Sequence, residues 1–121
     1  QKLTKAVRAL TMAGKNVVLT ADVPTLNFPP GKCLFMNKAL ARPQCSMDAS
    51  ILSDQEEYLS VFRKLDEIEN VEVILTRDFF CDADDCYALR QDSLLYADHH
   101  HLNSVGSDLF VEFLAKRSHH F

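Results

Sequence analysis

No stretch of this sequence approaches the roughly 18 consecutive apolar residues that a membrane-crossing helix needs. Its start also lacks the charged segment and short apolar run of a secretory leader. Positive charge is not in excess: 13 lysines and arginines stand against 17 acids, for a net charge of −4. That balance gives no electrostatic reason to propose nucleic acid or an anionic lipid surface as partner. No internal repeat, low-complexity tract or linker divides the 121 residues, which suffice for one small domain and not for two. What is present is ordinary globular composition, 47% hydrophobic and 25% charged, which excludes wholesale disorder. Gln1-Lys2-Leu3 is not a natural start, and the expectation is a piece of a longer polypeptide.

The four cysteines lack the Cys-x2-Cys spacing of a zinc site, and no histidine lies near either pair in sequence. They fall as Cys33 with Cys45 and Cys81 with Cys86. Four cysteines permit three connectivities, and sequence alone does not choose among them. Local pairing is the simplest, because each pair closes a loop rich in turn and polar residues. Reduced cysteines in a cytosolic core are the alternative reading. Disulfides imply an oxidising compartment, the periplasm or the cell surface.

Residues 2–13 read as an amphipathic helix with Leu3, Val7, Leu10 and Ala13 about a turn apart, closed by Gly14 and the Lys15-Asn16 turn. Residues 17–21 are a nearly continuous apolar and β-branched run, as a buried parallel strand requires, and Pro24 ends it. Residues 25–47 hold three of the four prolines and little periodicity, and read as a long surface excursion. Ser53-Asp54-Gln55-Glu56 has the form of a capping box opening a helix to about Glu69, with Leu59, Phe62, Leu65 and Ile68 inward. Residues 71–75 follow as a second strand. Asp82-Ala83-Asp84-Asp85, between two cysteines, lacks the Gly and distal Glu of an EF-hand and reads as a solvated acidic turn. A last helix from Asn103 or Ser104 to Lys116 is expected to bury Val105, Leu109, Phe110, Phe113 and Leu114, with Ser118-His119-His120-Phe121 as a frayed end. The alternation of helix and strand is that of an α/β sandwich with a parallel sheet.

The block with chemistry in it is Tyr96-Ala97-Asp98-His99-His100-His101-Leu102-Asn103-Ser104-Val105-Gly106. A carboxylate three residues before an imidazole on a loop can form the acid and histidine of a nucleophilic triad. The carboxylate fixes the ring tautomer, and the far ring nitrogen takes a proton from a hydroxyl. The expected position just before a helix, at the carboxyl edge of a parallel sheet, is where active sites of open α/β folds gather. The same histidines could instead bind a transition metal, but adjacent side chains in an irregular segment diverge. The bland reading has His99 and His100 exposed and His101 capping or packing under the helix.

The arrangement resembles the C-terminal half of an SGNH (GDSL-like) hydrolase domain, a three-layer α/β sandwich with a parallel, flavodoxin-like sheet. More narrowly, it resembles the SGNH domain fused behind the membrane acyltransferase-3 region of bacterial O-acyltransferases. The residues that carry the resemblance are Gly14-Lys15-Asn16-Val17-Val18-Leu19 running to Pro24, then Cys33 and Cys45, Cys81 and Cys86. Leu95-Tyr96-x-Asp98-x-x-His101-Leu102-Asn103-x-x-Gly106 completes the match. It implies that His101 is the general base and Asp98 its orienting carboxylate, with no role for His99 and His100. The four cysteines would brace the loops beside the site. It further implies acetyl-CoA as ultimate acyl donor, a cell-surface glycan such as lipopolysaccharide O-antigen or peptidoglycan as acceptor, and an upstream membrane domain on the same polypeptide. The setting would be periplasmic or extracytoplasmic. No cofactor is expected in this domain.

The family's nucleophilic serine sits in a Gly-Asp-Ser strand motif, and the sequence contains none. No segment matches the blocks that supply the oxyanion-hole Gly and Asn. Ser104 and Ser107 lack the sharp strand-to-helix turn of a nucleophile. The chain alone is therefore expected not to turn over acyl substrates. Two other readings remain at this stage: a secreted or periplasmic SGNH esterase acting on carbohydrate or lipid, and a non-catalytic module binding glycan or a protein partner. A sheet of two strands with an open edge is also expected to favour dimerisation or marginal stability.

Overall fold

The computed structural model describes residues 2–33 and 45–120. Helix α1, Lys2–Met12, ends in a Schellman motif: Lys15 N–H donates to the Leu10 carbonyl and Gly14 N–H to Thr11, both at 3.0 Å. Gly14 takes the left-handed conformation this ending requires, φ 76°. The helix buries Val7 alone, while Leu3 and Leu10 of the expected stripe are 40% and 48% exposed. Strand β1, Val17–Thr20, pairs in parallel with β3, Val71–Ile74, in the register Val17 to Val71. Val7, Val17, Leu65 and Val71 form a first small core between this sheet, α1 and helix α3, Leu59–Asp66.

The excursion after β1 carries a short helix α2, Pro30–Cys33, and strand β2, Ser46–Asp48. The middle of that excursion, residues 34–44, lies outside the described residues. Between β2 and α3 the structure departs from the capping-box reading. Asp48, not Ser53, caps a 3₁₀ helix over Ala49–Asp54, accepting from Ser50 N–H at 2.9 Å. Ser53 sits inside that turn, its hydroxyl donating to the Ser50 carbonyl at 2.8 Å. Glu56 is drawn away from any capping role by Arg77, 2.9 Å distant. Helix α3 consequently starts only at Leu59, and it ends at Asp66 rather than Glu69.

After β3 come helix α4, Arg77–Phe80, and three strands too short to show a period in sequence: β4, Asp85–Tyr87, β5, Leu89–Arg90, and β6, Ser93–Leu94. β2 pairs antiparallel with β4 and β5 with β6. Among the described residues the sheets are thus three two-stranded ribbons, of which β1 with β3 is parallel. The class is α/β. The final helix α5, Ser104–Arg117, matches its expected bounds within a residue. Its Leu109, Phe110 and Phe113 pack on a second core that includes Met47, Phe79, Phe80, Leu95 and Tyr96. Val105, expected inside, is 43% exposed. Nor is the segment after α5 frayed at Ser118, whose hydroxyl donates to Glu72 of β3 at 2.7 Å. Among the described residues no helix is long and apolar enough to cross a membrane.

Both local disulfides are present. Cys33 and Cys45 close the long excursion, and Cys81 and Cys86 face each other across an antiparallel bridge. Inside the second loop Asp82 Oδ1 accepts the N–H of Asp84 and of Asp85, at 2.9 and 2.8 Å. Its Oδ2 accepts the Tyr87 hydroxyl at 2.6 Å. The carboxylate is engaged in holding the turn, as the solvated-turn reading requires.

Candidate active site

The Asp98 and His101 loop is closed at its base by backbone. Tyr96 and Leu102 form an antiparallel bridge, Ala97 N–H donates to the His101 carbonyl at 2.8 Å, and Asn103 N–H to Leu95 at 2.9 Å. Within the loop Asp98 Oδ1 accepts from the backbone N–H of His100 and His101, at 2.9 and 2.8 Å. The same carboxylate then reaches the imidazole: Oδ2 lies 2.8 Å from His101 Nδ1. These bonds favour the charged form and hold the Asp98 carboxyl well below the usual carboxylate range. The His100 N–H is the largest cause and the His101 side chain the next. An acceptor fixed at Nδ1 requires the proton on that nitrogen and leaves the Nε2 lone pair outward. The two side chains are 49% and 65% exposed, so Nε2 is open to a hydroxyl brought from outside.

Tyr96, Asn103 and Gly106 fasten the loop to the body, and the sequence reading gave them no role. The buried Tyr96 phenol donates to the Pro24 carbonyl at 2.8 Å, and burial pushes its pKa up, so it stays protonated. On the other side, Leu26 N–H donates to the His99 carbonyl at 2.7 Å. The loop is thereby stitched to the chain just beyond the carboxyl end of β1. Asn103 caps α5, its Oδ1 accepting Gly106 N–H at 2.8 Å while its Nδ2 donates to the Leu94 carbonyl at 2.7 Å. Gly106 lies so close to the preceding backbone that a Cβ there would collide with the Leu95 carbonyl, 2.8 Å from its carbon. The N-cap preference of Asn and a glycine in a first helical turn are the sequence signals that point to both.

The loop path separates the three histidines. His99 is held by its carbonyl, while the rings of His100 and His101 lie 4.1 Å apart. Asp98, His100 and His101 each offer a ligand atom within 4.8 Å of the others, and this trio could hold a transition metal ion. The expected divergence therefore holds for His99 and not for its two neighbours. Ser104 and Ser107 occupy the first turn of α5, exposed, and Ser107 N–H donates to the Asn103 carbonyl.

The site is a small α/β body that presents an oriented Asp and His pair on a loop before its last helix. A family model for the SGNH domain fused to AT3 domains matches residues 1–116, and the chain belongs to that family. No curated protein and no solved structure matches it.

Proposed function

We propose that this chain is the C-terminal part of the SGNH domain of a bacterial envelope O-acyltransferase, completed upstream by the strands of a three-layer sandwich and by the nucleophilic serine. The observation that supports this most is the carboxylate of Asp98, bound on one oxygen by two backbone N–H groups and on the other by His101 Nδ1. In the proposed reaction the serine hydroxyl attacks an acyl carbonyl and passes its proton to His101 Nε2, which returns it to the leaving group. A hydroxyl of a cell-surface glycan then attacks the acyl-enzyme. Its proton goes to Nε2 and from there to the released serine oxygen, giving an O-acylated glycan. Asp98 stabilises the imidazolium in both halves and does not itself take the proton. Acetyl-CoA is the ultimate donor in this scheme, the upstream AT3 membrane domain passes the acetyl group across, and the domain works on the periplasmic side.

The test is His101→Ala in the parent enzyme, with glycan acylation measured directly. Removal of a triad base is expected to lower turnover by about 10,000-fold or more, with the circular dichroism spectrum unchanged. Acylation within about tenfold of wild type would overturn the assignment. The 121-residue chain by itself is expected to release no acetate from activated esters.

A further inference from the structure

A cleft of about 480 Å³ opens at the carboxyl ends of β1 and β3, and residues 23–25, part of its lining, belong to the segment that also bonds the His101 loop. Its volume lies in the range of small-ligand sites. Ala21, Leu52 and Phe62 line it with apolar side chains, and Asp22, Thr25, Glu56, Tyr58 and Arg77 bring polar groups to it.

The walls are fixed from several directions. Gln55 clamps Thr25 with two bonds, accepting its N–H at 2.9 Å and donating to its carbonyl at 3.2 Å. The buried Thr76 hydroxyl donates to the Asp22 carbonyl at 2.6 Å. Glu56, 8% exposed in its side chain, is neutralised by Arg77, whose guanidinium uses Nη1 for that bond and is itself 36% exposed. Arg77 therefore has N–H donors to spare for a ligand. Tyr58 leans on Phe62 with ring centroids 4.9 Å apart. Burial first, then Glu56 and Asp22, raise its pKa, so the phenol remains a donor. Such a site needs little reorganisation on binding.

The chemistry of the lining selects the ligand. Two carboxylates against one guanidinium disfavour phosphate, which argues against the nucleotide part of an acyl-CoA. Donors and acceptors together with apolar lining and a half-buried aromatic ring suit a polyhydroxylated ring with one apolar face. The chain between cleft and His101 loop is bonded to both: Thr25 pairs with Gln55 on the cleft side, while Pro24 accepts Tyr96 and Leu26 donates to His99 on the other. We propose that this cleft is the acceptor subsite and binds neutral pyranose units of the glycan, with residues 22–26 as the shared wall that sets the acceptor against His101. The assignment as acceptor subsite rests on the function proposed above; the sugar site itself does not.

The experiment is an amide NMR titration of the full chain with chitotetraose, with maltotetraose, and with inorganic phosphate as the anionic probe. Saturable shifts at Thr25, Tyr58 and Thr76 with either sugar, and none with phosphate, are expected. Asp22→Asn, isosteric and exposed, is expected to weaken sugar binding about tenfold, and Tyr58→Phe about threefold, as for loss of hydrogen bonds to the ligand. Shifts confined to other faces, an unaltered affinity in both variants, or shifts with phosphate in place of sugar would overturn the cleft. Sugar binding that persists in His101→Ala supports it independently of the catalytic assignment. In the parent enzyme Asp22→Asn is expected to raise the glycan KM more than it lowers kcat, and an unchanged KM would overturn the acceptor role.

Discussion

Two loops of this molecule are turned by the same device and differ in what the aspartate holds. In each, one aspartate oxygen accepts the backbone N–H groups two and three residues ahead: Asp82 from Asp84 and Asp85, Asp98 from His100 and His101. The second oxygen makes the difference. At Asp82 it accepts the Tyr87 hydroxyl, and at Asp98 it meets an imidazole. Both carboxyls are held below their usual range, Asp82 chiefly by Tyr87 and Asp98 chiefly by the His100 N–H. In return the Tyr87 phenol is pushed up to about 12, and it does not titrate in the physiological range. Imidazole is the side chain whose ordinary pKa lies near neutrality. The same turn thus carries a phenol that does not titrate near neutrality in one loop and, in the other, the imidazole to which the proposed function gives the proton. The closures differ too, a disulfide at one base and backbone bonds at the other.

The sharpest way to separate the loops is the pair Asp98→Asn and Asp82→Asn in the parent enzyme. Asparagine at 98 still accepts the two N–H groups, but its amide turns a donor toward Nδ1 and moves the histidine proton to Nε2. Glycan acylation is expected to fall about 10,000-fold, while Asp82→Asn stays within about twofold of wild type. Equal losses in the two variants would break the comparison. A smaller effect concerns how the His101 loop is moored. Gly106→Ala must push α5 off the Leu95 carbonyl and is expected to cost about 2–3 kcal/mol in urea unfolding. An unchanged midpoint would show the contact to be slack. Replacing both Cys81 and Cys86 by serine opens a short loop and is expected to cost about 2 kcal/mol by loop entropy. The His100 and His101 amide shifts should stay put, because their loop closes on its own backbone.

The smallest effect is with pH. A carboxyl whose folded pKa is depressed adds stability above its ordinary value and loses it as pH falls through the depressed one. The His100 and His101 amides should therefore hold their shifts at the ordinary carboxylate value of 3.8 and collapse only at lower pH. Collapse between pH 5 and about 4 would show that the carboxylate is not held as described.

Local signals were the readable ones. The Asp98 and His101 pair was legible because one carboxylate spans three residues of a turn, a purely local geometry. The ending of α1 was legible from Gly14, and the parallel pairing of β1 with β3 from two short β-branched runs, of which Val17, Val71 and Ile74 are buried. The capping box at Ser53 misled because its decisive partner, Arg77, lies 21 residues beyond Glu56. The ribbons β4, β5 and β6 left no period because two or three residues cannot carry one. They form where disulfides and an aromatic cluster hold them, with Phe79 and Phe80 centroids 4.7 Å apart and Phe80 5.6 Å from Tyr96. The cleft beside β1 was invisible because its polar lining is drawn from three separate segments, around Asp22, Glu56 and Arg77.

The bonds of His99 and His100 bear on which substitutions this loop tolerates. Position 99 contributes its carbonyl to Leu26 and position 100 its N–H to Asp98. These are main-chain groups, which nearly every amino acid carries, and the His100 side chain is 61% exposed. A mutational scan should accept most replacements at both positions. At 100 it should reject proline, the one residue without an N–H to give.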